Sequence, residues 1–324
     1  MEKKKTLIIF GVSSFVGSNL AQSLKDKYRV IGTYFENRVS IKGMLTVPCD
    51  VLNRDAVQMV LYTFKPDVAI YCVGLSSLED CQGREKYADA LNTMGVFNVS
   101  QFSERYKAKF IYISSAYIFS GEKPLYFEND TPDPNTIFGR TKASAEFYVQ
   151  KSCLDYILLR CCNFYGRSIN ARQFTWFENV EQGLFKNKSL RIDDHIRFGF
   201  LYVQYLGLII HLCLERDITN KLLHISSKDV MTYYEFVKLY ANIFKLNNDL
   251  IQKGKWEFPL ERAISTEIDL DDGLSFRLEV QNIEAYLDAE LPTVEDSLVG
   301  TFDRLGGKLI KASSKKQTTG IEFI

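Results

Sequence analysis

The chain has 324 residues, with 40 Lys plus Arg balanced by 40 Asp plus Glu, and 46% of its residues are apolar. That length and composition support a sizeable core and exclude wholesale disorder. Zero formal net charge excludes a general nucleic-acid binder, which needs a basic excess to displace counterions, but not a small anion held by local donors. The 7 cysteines are odd in number, lack Cys-x-x-Cys spacing and lie mostly in apolar runs. They point to a reducing compartment, and the three scattered histidines give no metal-site spacing. After the basic opening residues, only Leu7–Phe10 precede Gly11, too short for a signal-peptide core. The expectation is a cytoplasmic protein with no metal, no membrane partner and no nucleic acid.

In chain order, apolar or β-branched runs predict strands at Thr6–Phe10, Arg29–Tyr34, Val68–Val73, Phe110–Ile113 and Tyr156–Leu159. Amphipathic segments between them predict helices at Phe15–Leu24, Asp55–Phe64, Glu85–Tyr106 and Gly139–Lys151. This alternation predicts an α/β protein with a Rossmann-type doubly wound parallel sheet. After Tyr165 the alternation loosens. Phe200–Leu214 reads as a buried helix and Thr232–Leu246 as an amphipathic one; 261–272 is acidic, and 308–316 is basic and Ser-rich. The domain reading is a dinucleotide-binding core over 1–166, completed by 200–227. A smaller C-terminal α+β substrate lobe takes 167–199 and 228–312, and 313–324 form a flexible tail.

The turn Gly11-Val-Ser-Ser-Phe-Val-Gly17 joins the first strand to the first helix. Such a turn sets backbone N–H groups and the positive helix end against a pyrophosphate, with Gly11 allowing the tight turn and Gly17 the close helix–strand packing. Glu36, 19 residues after Gly17, is placed to take ribose hydroxyls and favours NAD; Arg38 is placed to hold a 2′-phosphate and favours NADP. The choice between NAD and NADP stays open.

Phe10–Leu20 resembles the opening of the extended short-chain dehydrogenase/reductases, most closely the dTDP-4-dehydrorhamnose reductase branch. Further motifs follow in order: Gly32-Thr-Tyr34, Cys49-Asp-Val51, Lys65-Pro-Asp67, Leu91-Asn92 and Tyr112-Ile-Ser-Ser115. Tyr117-Ile-Phe119, Gly121-Glu-Lys123, Phe138-Gly-Arg-Thr-Lys142 and Arg160-Cys-Cys-Asn-Phe-Tyr-Gly166 complete the set. The resemblance implies a cofactor loop made of Gly11, Ser14, Phe15, Val16 and Gly17. Asp50 and Val51 would flank the adenine, Val73 and Gly74 would line the cofactor wall, and Asn92 would join a proton relay. Ser14 replaces the family's middle glycine, which predicts weakened binding if that position needs a glycine-only backbone.

In the family, a Tyr and a Lys four apart on one helix face perform carbonyl reduction, beside a Ser or Thr that hydrogen-bonds the carbonyl. Ser115 and Lys142 match; Phe138 stands at the tyrosine position and Ala116 where the branch carries Asp. A phenyl ring has no proton to give, and loss of a general acid removes ~10²–10⁴ in rate. Tyr117 and Tyr165 are the alternative acids, each weighed against a plain packing role. The resemblance places Tyr117 and Asn163 at a nucleotide-sugar substrate; Asn163 reads equally as a turn cap. His195 reads as an exposed loop residue without a chemical role. Two functions follow. One is a nucleotide-sugar reductase with impaired or altered catalysis. The other is a non-catalytic, cofactor-sensing regulatory or partner-binding subunit. A homodimer through the helices at Glu85–Tyr106 and Gly139–Lys151, or a protein partner, fits either.

Overall fold

The computed structural model describes residues 4–169, 174–254 and 273–304. The acidic stretch 261–272 and the tail 313–324 lie outside the described residues, as does the basic segment 308–316.

The apolar runs form the strands, and the amphipathic segments cover them. In chain order the first part is β1 (Thr6–Phe10), α1 (Phe15–Leu24), β2 (Arg29–Tyr34), β3 (Leu45–Pro48), α2 (Arg54–Phe64) and β4 (Val68–Tyr71). The short helices α3 (Leu78–Gly83) and α4 (Glu85–Asp89) lead into α5 (Gly95–Arg105), then β5 (Lys109–Ser115), α6 (Ile137–Ser152) and β6 (Tyr156–Cys161). The later part is β7 (Asn163–Tyr165), α7 (Trp176–Phe185), β8 (Leu190–Ile192), β9 (Ile196–Phe198), β10 (Phe200–Tyr202), α8 (Val203–Glu215) and β11 (Lys221–Ile225). It ends with β12 (Met231–Thr232), α9 (Tyr233–Ile243), β13 (Ile251–Lys253), β14 (Leu274–Phe276), α10 (Gln281–Leu287) and α11 (Val294–Arg304).

Seven strands make one parallel sheet in the order β3-β2-β1-β4-β5-β6-β11. Strand side chains alternate between faces, so Leu7 and Ile9 pack with α1 and α8 residues, whereas Ile8 and Phe10 pack with α2 and α5 residues. With both faces covered, ligand access is left to the strand ends. The order reverses between β1 and β4, the crevice where doubly wound sheets bind ligands beyond their carboxyl ends.

Five local differences separate the structure from the sequence reading. β3 is a short, half-exposed edge strand, too polar to stand out as an apolar run. β11 closes the other edge, its Lys221 and His224 interrupting the apolar signal. Phe200–Tyr202 is a strand paired in parallel with β7, not the first turn of the following helix, which begins at Val203. The helix expected over Glu85–Tyr106 is interrupted at Ala90–Met94 by a π-turn, which widens the helix around Asn92. The strand expected over Val68–Val73 ends at Tyr71, although the Cys72 N–H still bonds the Phe10 carbonyl at 2.9 Å.

The smaller C-terminal lobe is α+β. In it β9 pairs antiparallel with β12 and parallel with β14, β13 pairs with β8, and α7, α9 and α11 pack around an aromatic core that includes Phe177, Phe200, Phe236 and Tyr240. Below the carboxyl ends of β5 and β6, Arg160 and Glu146 form a fully buried ion pair. The guanidinium donates to both carboxylate oxygens at 2.8–3.2 Å, and Ser114 Oγ donates to Glu146 Oε1 at 2.6 Å. Removing one partner strands a buried charge, so Glu146→Ala is expected to cost about 3–5 kcal/mol in urea unfolding. The exposed Arg197–Glu235 pair is the control, and Arg197→Ala should change stability by about 1 kcal/mol or less.

Candidate functional site

The turn after β1 is held by its own side chains. Gly11 has φ of +86°, and a Cβ there would fall 2.9 Å from the Cys72 backbone, so glycine is required. Its N–H and that of Val12 both donate to the Thr33 carbonyl, which fastens the turn to β2. Ser14 caps α1: its hydroxyl donates to the Gly11 carbonyl at 2.8 Å and accepts the Gly17 N–H at 3.0 Å. Its φ of −74° and ψ of 162° lie in the extended region open to every residue. The backbone penalty expected for serine in a glycine-only conformation is therefore absent. Serine instead takes up one N–H of the helix start, while Phe15 and Val16 head α1 with N–H groups that have no acceptor within the helix.

Glu36 and Arg38 follow β2 on an exposed turn, the Arg38 N–H bonded to the Glu36 carbonyl at 3.2 Å. Asp50 accepts the Leu52 N–H at 2.9 Å, and the Val51 carbonyl accepts from Asn98 Nδ2 at 3.0 Å. Val73 and the exposed Gly74 lie just beyond β4. These groups follow the carboxyl ends of β2, β3 and β4. Asn92, on the π-turn, is fully buried. Its Oδ1 accepts the Leu75 N–H at 2.9 Å, and its Nδ2 donates to the Leu75 carbonyl and to Thr141 Oγ1, each at 3.1 Å. Its carboxamide thus ties the loop after β4 to α6.

Ser115 ends β5, and Phe138 and Lys142 occupy one face of α6. That helix starts at the N-cap Thr136, whose Oγ1 accepts the Gly139 N–H at 3.0 Å. Gly139 lies so close to the Tyr117 carbonyl that a Cβ would fall 2.0 Å from it, which draws α6 against the 3₁₀ turn Ala116–Ile118. Ser115 Oγ accepts the Tyr117 N–H at 3.3 Å. Lys142 Nζ donates to the Ile113 carbonyl at 3.0 Å and lies 5.0 Å from the Tyr112 ring centre and 5.7 Å from that of Phe138. Burial pushes the Lys142 ammonium down to about 8.

Phe138 is 7% exposed. Tyr117 packs edge-on against it at 5.8 Å and also meets Phe198 at 5.4 Å and Phe276 at 5.1 Å. Phe198 and Phe276, which stack on each other, come from β9 and β14 of the small lobe; no sequence motif connects them to the site. Asn163 Nδ2 donates to the Tyr233 hydroxyl at 2.9 Å. The Tyr165 hydroxyl is buried 2.7 Å from Ser297 Oγ and 3.3 Å from Thr301 Oγ1, which packs it into the lobe. His195 is half-exposed beside Asp193 and Asp194 in the loop before β9. Among the described residues no group of three or more His, Cys, Asp or Glu could hold a metal, and no helix is long and apolar enough to cross a membrane.

Residues 5–266 match the family model described as RmlD substrate binding domain. The chain belongs to this family. Methionine adenosyltransferase 2 subunit beta of Danio rerio is 28% identical over 207 residues, which cover 61% of this chain. The chain spans only 62% of that relative's length. The probable low-salt glycan biosynthesis reductase Agl14 of Haloferax volcanii is 22% identical over 303 residues, 90% of this chain and 95% of the relative. The crystal structure of dTDP-4-dehydrorhamnose reductase from Bacillus anthracis, in complex with NADP, superposes with a TM-score of 0.77 at 19% identity. It covers 93% of this chain and 99% of that one, so the two share the Rossmann-type fold.

The buried ammonium has a measurable consequence. Folding lowers the Lys142 pKa from 10.5 to about 8. At pH 7 both states are protonated, and the folded state carries the full cost of a buried charge. Between pH 8 and 10.5 the unfolded chain retains the proton while the folded chain sheds it, which relieves that cost. Lys142→Met is expected to raise the urea midpoint at pH 7, and its advantage over the parent chain should shrink as the pH rises from 8 to 10.

Proposed function

We propose that the chain binds NAD(P) at the β1–β4 crevice and that its reductase chemistry is impaired or altered. The cofactor reading rests on the Gly11–Gly17 turn. Gly11, Ser14, Phe15, Val16 and Gly17 would surround the pyrophosphate, whose oxygens the Phe15 and Val16 N–H groups suit. Asp50 and Val51 would flank the adenine, and Val73, Gly74 and Asn92 would line the wall. Glu36 would favour NAD and Arg38 NADP. Lys142 would turn its ammonium from the Ile113 carbonyl toward the nicotinamide ribose. The bound cofactor would supply a hydride.

Phe138 is the observation that carries the functional reading. In the family, the residue at this position gives a proton to a carbonyl held by the serine equivalent to Ser115. Here a phenyl ring lies over the Lys142 ammonium and is shut in by Tyr117. Ala116 removes a second polar group beside it. If chemistry persists, a nucleotide sugar contacted by Tyr117 and Asn163 is the substrate class. The second reading is a non-catalytic regulatory or partner-binding subunit, either as a homodimer or with another protein. It draws on the relatives named methionine adenosyltransferase 2 subunit beta and on the same loss of the acid.

Titration with NADPH and with NADH is expected to give saturable changes in nucleotide fluorescence; no signal with either overturns the cofactor reading. With cofactor bound, Phe138→Tyr should reduce a 4-keto nucleotide sugar at least ~10²-fold faster than the parent chain. Equal rates would show that Phe138 does not limit the chemistry.

A further inference from the structure

The helix layer on one face of the sheet carries a feature remote from the strand ends. α1 and α8 cross closely, a Cβ on Gly207 falling 2.6 Å from the Ser23 Cβ. Beside this crossing lies a cavity of about 270 Å³, lined by Ser23, Lys27, Gln204, Tyr205, His211 and Arg304 among others. Its lining contains two fully cationic side chains, Lys27 and Arg304, and no carboxylate. The Arg304 guanidinium lies 5.4 Å from the Tyr205 ring centre and 6.0 Å from that of Tyr202, which props it along the cavity edge. Neither cation has a carboxylate partner among the described residues, although exposed acids such as Arg197's partner Glu235 are paired elsewhere.

His211 adds a titratable ring. Its Nδ1 lies 2.8 Å from the Tyr28 hydroxyl. With Nδ1 engaged there, Nε2 is the ring nitrogen left for a ligand, and in the imidazolium it donates. Burial and the nearby Lys27 charge hold the imidazole below its ordinary range, while Glu215 acts in the opposite sense. Lys27, Arg304 and His211 thus border one half-open depression whose lining has no carboxylate. That set suits a ligand whose oxygens carry two negative charges.

We propose that the α1–α8 cavity binds a phosphate dianion, free or as the monoester of a small organic molecule, between Lys27 and Arg304 with His211 as a further donor. The half-exposed Leu208 and the Tyr205 ring offer the organic part of a monoester an apolar wall. The site is independent of the cofactor reading. Ser23 lies six residues beyond Gly17 on α1, about 9 Å along the helix.

The test follows the His211 ring signals by NMR in the full chain, at constant ionic strength maintained with sodium chloride. Inorganic phosphate and phenyl phosphate should each give a saturable shift. Tighter binding of phenyl phosphate assigns an organic monoester, and the reverse assigns free phosphate. Sulfate keeps its charge across the titration and serves as a fixed dianion. A bound dianion favours the imidazolium, so sulfate should bind more tightly as the pH falls below 6.5. Lys27→Gln and Arg304→Gln, both at exposed positions, should each weaken binding about fivefold to tenfold. NADPH binding should be unchanged in both variants. No saturable shift beyond that of chloride overturns the proposal. So does undiminished affinity in the double variant, the outcome of an adventitious ion only.

Discussion

The Arg160–Glu146 ion pair, sealed beneath α6, governs where the site's side chains can lie. A bidentate guanidinium–carboxylate contact tolerates little rotation or sliding. Glu146 lies one turn beyond Lys142 on α6, so the pair fixes that helix over β5 and β6 and with it the positions of Phe138 and Lys142. Ser114 joins the same carboxylate from β5 and anchors the strand end that carries Ser115. The Arg160 guanidinium also reaches the Glu128 carbonyl at 3.0 Å, and Glu128 in turn accepts the His224 N–H of β11 at 2.8 Å. One buried charge pair therefore registers a helix, three strands and a connecting loop.

Above that fixed base, the chemistry depends on what surrounds Lys142. An ammonium buried between aromatic rings and a single carbonyl keeps some favourable electrostatics, since ring faces attract cations. It still loses more hydration than these contacts return, and this is why burial depresses its proton affinity. Phe138 belongs to this balance as a cation-facing ring. The phenyl ring gives the lysine a partner and fills the space beside it. Tyr117 then links the ring to Phe198 and Phe276 and joins the small lobe to the sheet half of the site.

The parallel sheet was legible because its central strands are nearly continuous apolar runs and its helices carry the matching amphipathic period. The edges were not. β3 holds Thr46 and Pro48 in four residues, and β11 places Lys221 and His224 among its apolar residues. Phe200–Tyr202 looked helical because its residues are as apolar as the helix that follows, and only pairing with β7 separates them. At the site, short-range spacing predicted that Phe138 and Lys142 share a helix face and that Gly11–Gly17 forms the βα turn. It could not foretell that Asn92 would spend its carboxamide on Leu75 and Thr141, or that Phe198 and Phe276 would meet Tyr117. The first contacts join a π-turn, a loop and α6 within the core, and the second come from strands far apart in the chain, brought together only when the small lobe folds.

The Ser14 hydroxyl bridges the two ends of its turn, accepting from Gly17 and donating to Gly11. A glycine at that position would leave the turn's shape to whatever ligand filled it. With serine, the loop is closed by its own side chain through hydrogen bonds that need no ligand. Little order remains to be gained on binding, so the integrity of this part of the fold is uncoupled from the supply of any ligand.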